Sequence, residues 1–273
     1  MSESDKSKNT KDTFKRESIK RLLRDVKDIY TSSLENDGIY YKHDENDFSI
    51  GYALIIGPKD TIYQNGYYFF KFEFPYDYPH SPPKVTYYTN DGCVRFHPNF
   101  YRNGKVCLSI LNTWRGEGWT SCQSIRSILL ILCSVLTNDS LLNEPGITKH
   151  HKDFNTYSDI IMYKNLSVAV IAMLNETAGV YPSPHFDLFK STVRTHFIEN
   201  YKVNLDKIKK LSEKKWKSVL TTGIYNLKFT VNYKSLEEEI IKIYNRIKKD
   251  EKSCKKTEKT LNKQNEKIEI KKT

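Results

Sequence analysis

Apolar positions along the chain change their period twice, and the changes divide it into a helix, a group of strands and a helical second half. Ile19, Leu22, Leu23, Val26, Ile29 and Tyr30 recur at three- and four-residue spacing, which predicts an amphipathic helix with Lys20, Arg21, Arg24 and Lys27 on its wet face. Over residues 48–57 (FSIGYALIIG) the period falls to two. Phe48, Ile50, Tyr52, Leu54 and Ile56 alternate there with mostly smaller residues, and Gly57-Pro58 closes the run. Residues 67–74 (YYFFKFEF) and 84–88 (KVTYY) add aromatic and β-branched stretches of strand length. Their short connections favour antiparallel pairing, because parallel neighbours need a crossover of about a dozen residues or more. The pattern predicts a meander of three or four strands.

Between the second and third of these stretches lies PYDYPHSPP, whose prolines at 75, 79, 82 and 83 fix φ and remove backbone donors, so a rigid irregular loop is expected. A helix is expected to resume near Trp119, with Thr120 and Gln123 at capping-box spacing. Its face of Ile125, Ile128, Leu129, Leu132 and Leu136 is expected to cross the sheet. After Pro145-Gly146 the spacing predicts helices over 157–175 and 186–201, parted by YPSP at 181–184. A last helix is expected from the Ser235/Glu238 pair through Leu236, Ile240, Ile243, Tyr244 and Ile247. The fold class is therefore α+β. Residues 1–13 read as a flexible leader, 14–176 as the main folded unit, 177–250 as a helical extension and 251–273 as a disordered lysine-rich tail.

Composition narrows the functions. With 273 residues the chain has ample material for a core. Its 44 lysines and arginines outnumber 33 acidic residues, a net charge of +11. That excess gathers toward the C-terminus without zinc-finger spacing, a recognition-helix pattern or a glycine-rich phosphate loop, so nucleic acid is not the expected partner. The greasiest run, residues 128–136, is far short of the roughly 20 residues that span a bilayer, and no membrane association is expected. Five dispersed cysteines fit free thiols, and the polar N-terminus has no signal-like apolar run. An intracellular location, cytoplasmic or nuclear, follows as the expectation.

Cys107 raises the chemical question. It lies in HPNFYRNGKVCLSIL at 97–111, eight positions after Asn99 with an Asn-Gly pair between them. Its apolar neighbours Val106, Leu108, Ile110 and Leu111 suit a buried, inert cysteine. Against this, the segment has no clear period, and functional residues concentrate on such loops. A zinc site from Cys93, His97 and Cys107 would have neither a Cys-x-x-Cys pair nor a defined fourth ligand, so no metal is expected. A cysteine hydrolase would need a histidine placed against the sulfur.

Four pieces in order give the chain its likeness: YPHSPPKV at 78–85, HPN at 97–99, GKVCLSIL at 104–111, and Trp119 leading into a helix. Together they resemble the ubiquitin-conjugating enzymes. RFHPNFYRNGKVCLSILNTW at 95–114 and NEPG at 143–146 are similar to the Z-type subgroup, which carries a long C-terminal helical extension. The resemblance implies a catalytic core over 14–176: an N-terminal helix, a four-stranded antiparallel meander, an active-site loop and further helices. It implies that Cys107 accepts ubiquitin or a ubiquitin-like modifier as a thioester from an activating enzyme. Cys107 then passes it to a substrate lysine or a ligase cysteine. Asn99 would stabilise the oxyanion of transfer, His97 and Pro98 would shape the loop, and Glu144 would stand at the lysine gate. Lys20, Arg21 and Arg24 would meet the activating enzyme, and His80, Ser121 and Cys122 the ligase. His80 replaces the usual apolar residue, and Thr120, Ser121 and Cys122 replace Ser-Pro-Ala, which disfavours common ligases. No cofactor is implied, ATP being used by the upstream activating enzyme. The competing class is a noncatalytic adaptor of the same fold that binds ubiquitin or ligases.

Overall fold

Strands β1 (Ile39–His43), β2 (Ile50–Ile56), β3 (Tyr67–Glu73) and β4 (Lys84–Tyr87) pair antiparallel in that order. The computed structural model describes residues 14–177, 179–180, 184–213 and 219–270, so the expected leader at 1–13 lies outside the described residues. The strand that periodicity did not single out is β1: five residues (IYYKH) are too few to establish a period.

Both faces of the sheet are covered. Ala53 and Ile55 of β2 and Tyr68, Phe70 and Phe72 of β3 enter one core; Tyr52, Leu54, Ile56, Tyr67 and Phe69 enter a second. This double burial explains why 67–70 reads as an unbroken aromatic run rather than an alternation with polar residues. The first core is closed by α1 (Arg16–Thr31), α2 (Ile125–Ser134) and α3 (Phe154–Lys164). From α1 it takes Leu22, Val26 and Ile29, whereas Leu23 and Tyr30 of the expected stripe remain exposed. The expected stripe of α2 is buried as predicted. That helix starts later than Trp119, however, because Ser124 and Ser127 form its capping box. Thr120 and Gln123 close a separate turn just before it, through Thr120 N–H to Gln123 Oε1 at 3.0 Å.

The second core belongs largely to the C-terminal half. The helix expected over 157–175 changes at Asn165 into a π-helical segment, Asn165–Ala172. Beyond it, α4 (Lys190–Ser212) and α5 (Tyr233–Ile270) pack with this segment against the outer sheet face. Asn232, not Ser235, caps α5, its Oδ1 accepting from Ser235 N–H at 3.1 Å. The helix is drawn from Tyr233 through Ile270, and residues 271–273 of the expected tail lie outside the described residues. No glycine or proline interrupts 233–270, and lysine, glutamate, glutamine and leucine are strong helix formers.

A hairpin that sequence reasoning missed, β5 (Val219–Thr222) with β6 (Leu227–Thr230), joins α4 to α5. Leu220 and Leu227 enter the first core, so the extension covers the outer sheet face and then reaches round to the side that bears Cys107. Among the described residues no helix is long and apolar enough to cross a membrane.

Candidate active site

The interval between Asn99 and Cys107 is set by a tight antiparallel reversal. Phe100 bridges Val106, Tyr101 N–H donates to Lys105 O at 3.0 Å, and Gly104 N–H donates to Tyr101 O at 3.0 Å. Gly104 has φ +85, and a Cβ there would stand 2.9 Å from the carbonyl oxygen of Tyr87, so glycine is required. With the turn centred near residue 103, positions 99 and 107 face each other. Cys107 N–H donates to Asn99 O at 2.9 Å, and Asn99 Nδ2 donates to Cys107 O at 2.6 Å. Asn99 Oδ1 is buried and, among the described residues, has no hydrogen-bond partner.

The loop is fixed from beneath. Tyr157 Oη donates to Arg95 O at 2.9 Å, and Tyr63 Oη lies 2.8 Å from Phe96 O and 2.8 Å from Ser140 Oγ. His97 is fully buried, and its Nδ1 accepts from Asn99 N–H at 3.0 Å. The ring proton therefore resides on Nε2, which faces the Val135 carbonyl and, at 3.2 Å, the Asn143 side-chain amide. Burial is the main force depressing its pKa, to about 3, assisted by the Arg95 charge. His97 is a neutral scaffold whose nitrogens are both engaged away from the sulfur, which removes the hydrolase arrangement. Pro98 is buried, and its carbonyl accepts from Arg95 Nε at 3.1 Å.

Cys107 itself is 3 % exposed. Its thiol faces the Thr113 carbonyl, and Thr113 Oγ1 accepts from Leu108 N–H at 2.9 Å, drawing the 112–118 loop over the sulfur. Asn112 Oδ1 closes that loop by accepting from Trp119 N–H at 2.8 Å. Beside it opens a groove of about 780 Å³ lined by Asn112, Thr113, Trp114, Arg115 and Pro145. The thiol is thus covered by one loop next to an open channel, a setting that a shift of the loop would turn into an accessible nucleophile.

Glu144, expected at the lysine gate, is bonded on two sides. It accepts a hydrogen bond from the Tyr225 hydroxyl and pairs with Arg95 Nη2 at 3.7 Å. Tyr225 lies in the turn of the β5–β6 hairpin. Burial and its hydrogen bond to Glu144 push the phenol pKa up, so the hydroxyl stays a donor. Arg21, expected on the docking surface, is bonded within the molecule. It donates to Asp25 Oδ1 at 2.9 Å and to the carbonyls of Ser121 and Gln123 at 2.5 Å each, bracing α1 against the loop before α2. Lys20 and Arg24 remain exposed. His80, Ser121 and Cys122 are all exposed, and Trp119 Nε1 donates to Pro79 O at 2.7 Å, which joins their two loops into one surface. Cys93 is exposed, and among the described residues no group of three or more His, Cys, Asp or Glu side chains could hold a metal, so Cys93, His97 and Cys107 do not converge.

Sequence reasoning missed Arg95, Thr113, Asn143 and Tyr225. Asn143 stands beside Glu144 and Arg95 beside HPN, so adjacency could have found two of them. Nothing local marks Tyr225, which comes from far along the chain.

The fold and this site define a ubiquitin-conjugating enzyme: the sequence profile of that family, described as "Ubiquitin-conjugating enzyme", matches residues 21–164, and the chain belongs to the family. Within it, the chain is 40 % identical over 186 residues to "Ubiquitin-conjugating enzyme E2 Z" of Xenopus tropicalis, covering 67 % of this chain and 57 % of that protein. It is 40 % identical over 184 residues to the protein of the same name in Homo sapiens, covering 66 % and 50 %. It is also 37 % identical over 203 residues to "Dual E2 ubiquitin-conjugating enzyme/E3 ubiquitin-protein ligase BIRC6" of Homo sapiens, covering 70 % of this chain and 4 % of that one. The chain thus spans about half the length of the E2 Z relatives it matches.

Proposed function

We propose that Cys107 carries ubiquitin or a ubiquitin-like modifier as a thioester and hands it to a lysine amine or a ligase cysteine. In loading, Cys107 Sγ attacks the modifier's C-terminal carbonyl on the activating enzyme. The new S–C bond forms, the bond to the activating enzyme's sulfur breaks, and that enzyme's thiol is regenerated. In discharge, an uncharged lysine amine attacks the same carbonyl. A C–N bond forms, the Cys107 C–S bond breaks, and the amine's proton leaves to solvent or a nearby carboxylate. A cysteine thiol is nucleophilic enough near neutral pH to act on an activated acyl group without a dedicated base. No cofactor is needed on this chain, ATP being consumed at the activating enzyme.

The observation that carries this reading is the pairing of Cys107 with Asn99 by two hydrogen bonds across a glycine-dependent turn, beside an open groove. An amide so placed can serve the oxyanion that forms on the acyl carbon, a role in which one donor contributes about 10²- to 10³-fold. The carrier reading predicts a thiol-sensitive adduct when the protein is incubated with activating enzyme, ATP and modifier, and no such adduct with Cys107→Ala. Absence of an adduct with every activating enzyme and modifier pair tried would move a noncatalytic adaptor ahead.

A further inference from the structure

We propose that Tyr225, in the hairpin of the C-terminal extension, is a positioning residue for discharge from Cys107 and acts through Glu144 and Arg95; this rests on the carrier reading above. Four contacts join the hairpin turn to the active-site side of the molecule. The Tyr225 hydroxyl donates to Glu144 Oε2. The Arg95 guanidinium lies 4.6 Å from the Tyr225 ring centroid and 3.7 Å from that of Tyr101. Arg102 Nη2 donates to the Tyr225 carbonyl at 2.6 Å, and Ile224 N–H donates to Asp153 Oδ2 at 3.0 Å.

Tyr225 also has φ +58 and ψ 7, a left-handed conformation that a bulky aromatic residue seldom adopts. Such a backbone persists only where surrounding contacts over-determine it. Those contacts lead directly to the reacting groups. Arg95 holds the Pro98 carbonyl, and so orients the peptide that leads into Asn99. It also pairs with Glu144, while the neighbouring Asn143 amide reaches His97. Arg95 therefore ties HPN to NEPG, and Tyr225 closes the arrangement from the extension. Small displacements of groups around a reacting centre cost large factors in rate, because the geometry of attack is narrow.

Tyr225→Phe keeps the ring over Arg95 and deletes only the hydroxyl. Glu144→Gln probes the same contact from the other side while preserving an acceptor. Discharge of preloaded enzyme to free lysine is measured in single turnover over a range of lysine concentrations for wild type, each variant and the double variant. We expect Tyr225→Phe to lower the maximal discharge rate about tenfold with little change in the lysine concentration for half-maximal rate. The double variant is expected to be no slower than the slower single one, since both substitutions act on the same contact. Wild-type discharge by Tyr225→Phe, faster discharge, or losses that multiply in the double variant would each overturn the proposal. Failure of wild type to load sinks the carrier reading instead.

Discussion

Asn99 and His97 sit two positions apart and do opposite kinds of work. Asn99 spends one N–H on the Cys107 carbonyl, and its own carbonyl accepts from Cys107 N–H. Asn99→Ala is expected to load at close to the wild-type rate but to discharge to free lysine about 10²-fold more slowly; equal discharge rates would remove Asn99 from the mechanism. His97 is buried and neutral, with a folded pKa of about 3, against about 6.5 for an unfolded histidine. Between these values the unfolded chain binds a proton that the folded chain does not. Stability from this group is therefore lost as pH falls from about 6.5 toward 3, by about 1.4 kcal/mol per pH unit. Imidazole NMR of the folded protein should show no His97 titration above pH about 4; a titration near 6.5 would contradict the buried assignment. Motif spacing made Asn99, His97 and Cys107 legible in the sequence. It could not reveal that Arg21 is internally bonded or that Glu144 is held, because those partners come from positions 121, 123 and 225.

Among the elements, the loop over residues 112–118 covers the Cys107 sulfur. Thr113 anchors it: its hydroxyl accepts from Leu108 N–H and approaches Val106 O at 3.0 Å, while its carbonyl covers the thiol. Thr113→Val removes hydrogen bonds of about 1 kcal/mol each. Alkylation of Cys107 by a small thiol reagent is then expected to rise about tenfold as the loop opens more often, and an unchanged rate would show that the loop does not gate the sulfur. Helix α2 and the longer strands were legible because ten or so residues of one period leave little choice. The hairpin β5–β6 was not: two strands of four residues each carry almost no periodic signal.

Across the whole molecule, the extension is a second wall of the sheet. Tyr52, Leu54, Ile56, Tyr67 and Phe69 are each at most 6 % exposed beneath it. Burying a large apolar side chain contributes about 1.5–3 kcal/mol, so these five together approach the roughly 5–15 kcal/mol by which a domain is stable. Residues on both sides of position 176 share this core, and the hairpin that follows carries the extension back to Glu144. The fold confronts one direct difficulty for a carrier role: Cys107 is buried, whereas Cys93 and Cys122 are exposed. A carrier role for Cys107 therefore requires that the buried thiol react in preference to the accessible ones. The most direct test is to load the wild-type protein with activating enzyme, ATP and modifier, digest without reductant, and locate the modifier by mass spectrometry. The modifier's C-terminal carboxyl is expected on the Cys107 peptide, joined in a bond that hydroxylamine cleaves. A modifier found on Cys93, on Cys122 or only on lysines, with Cys107 unmodified, would contradict it.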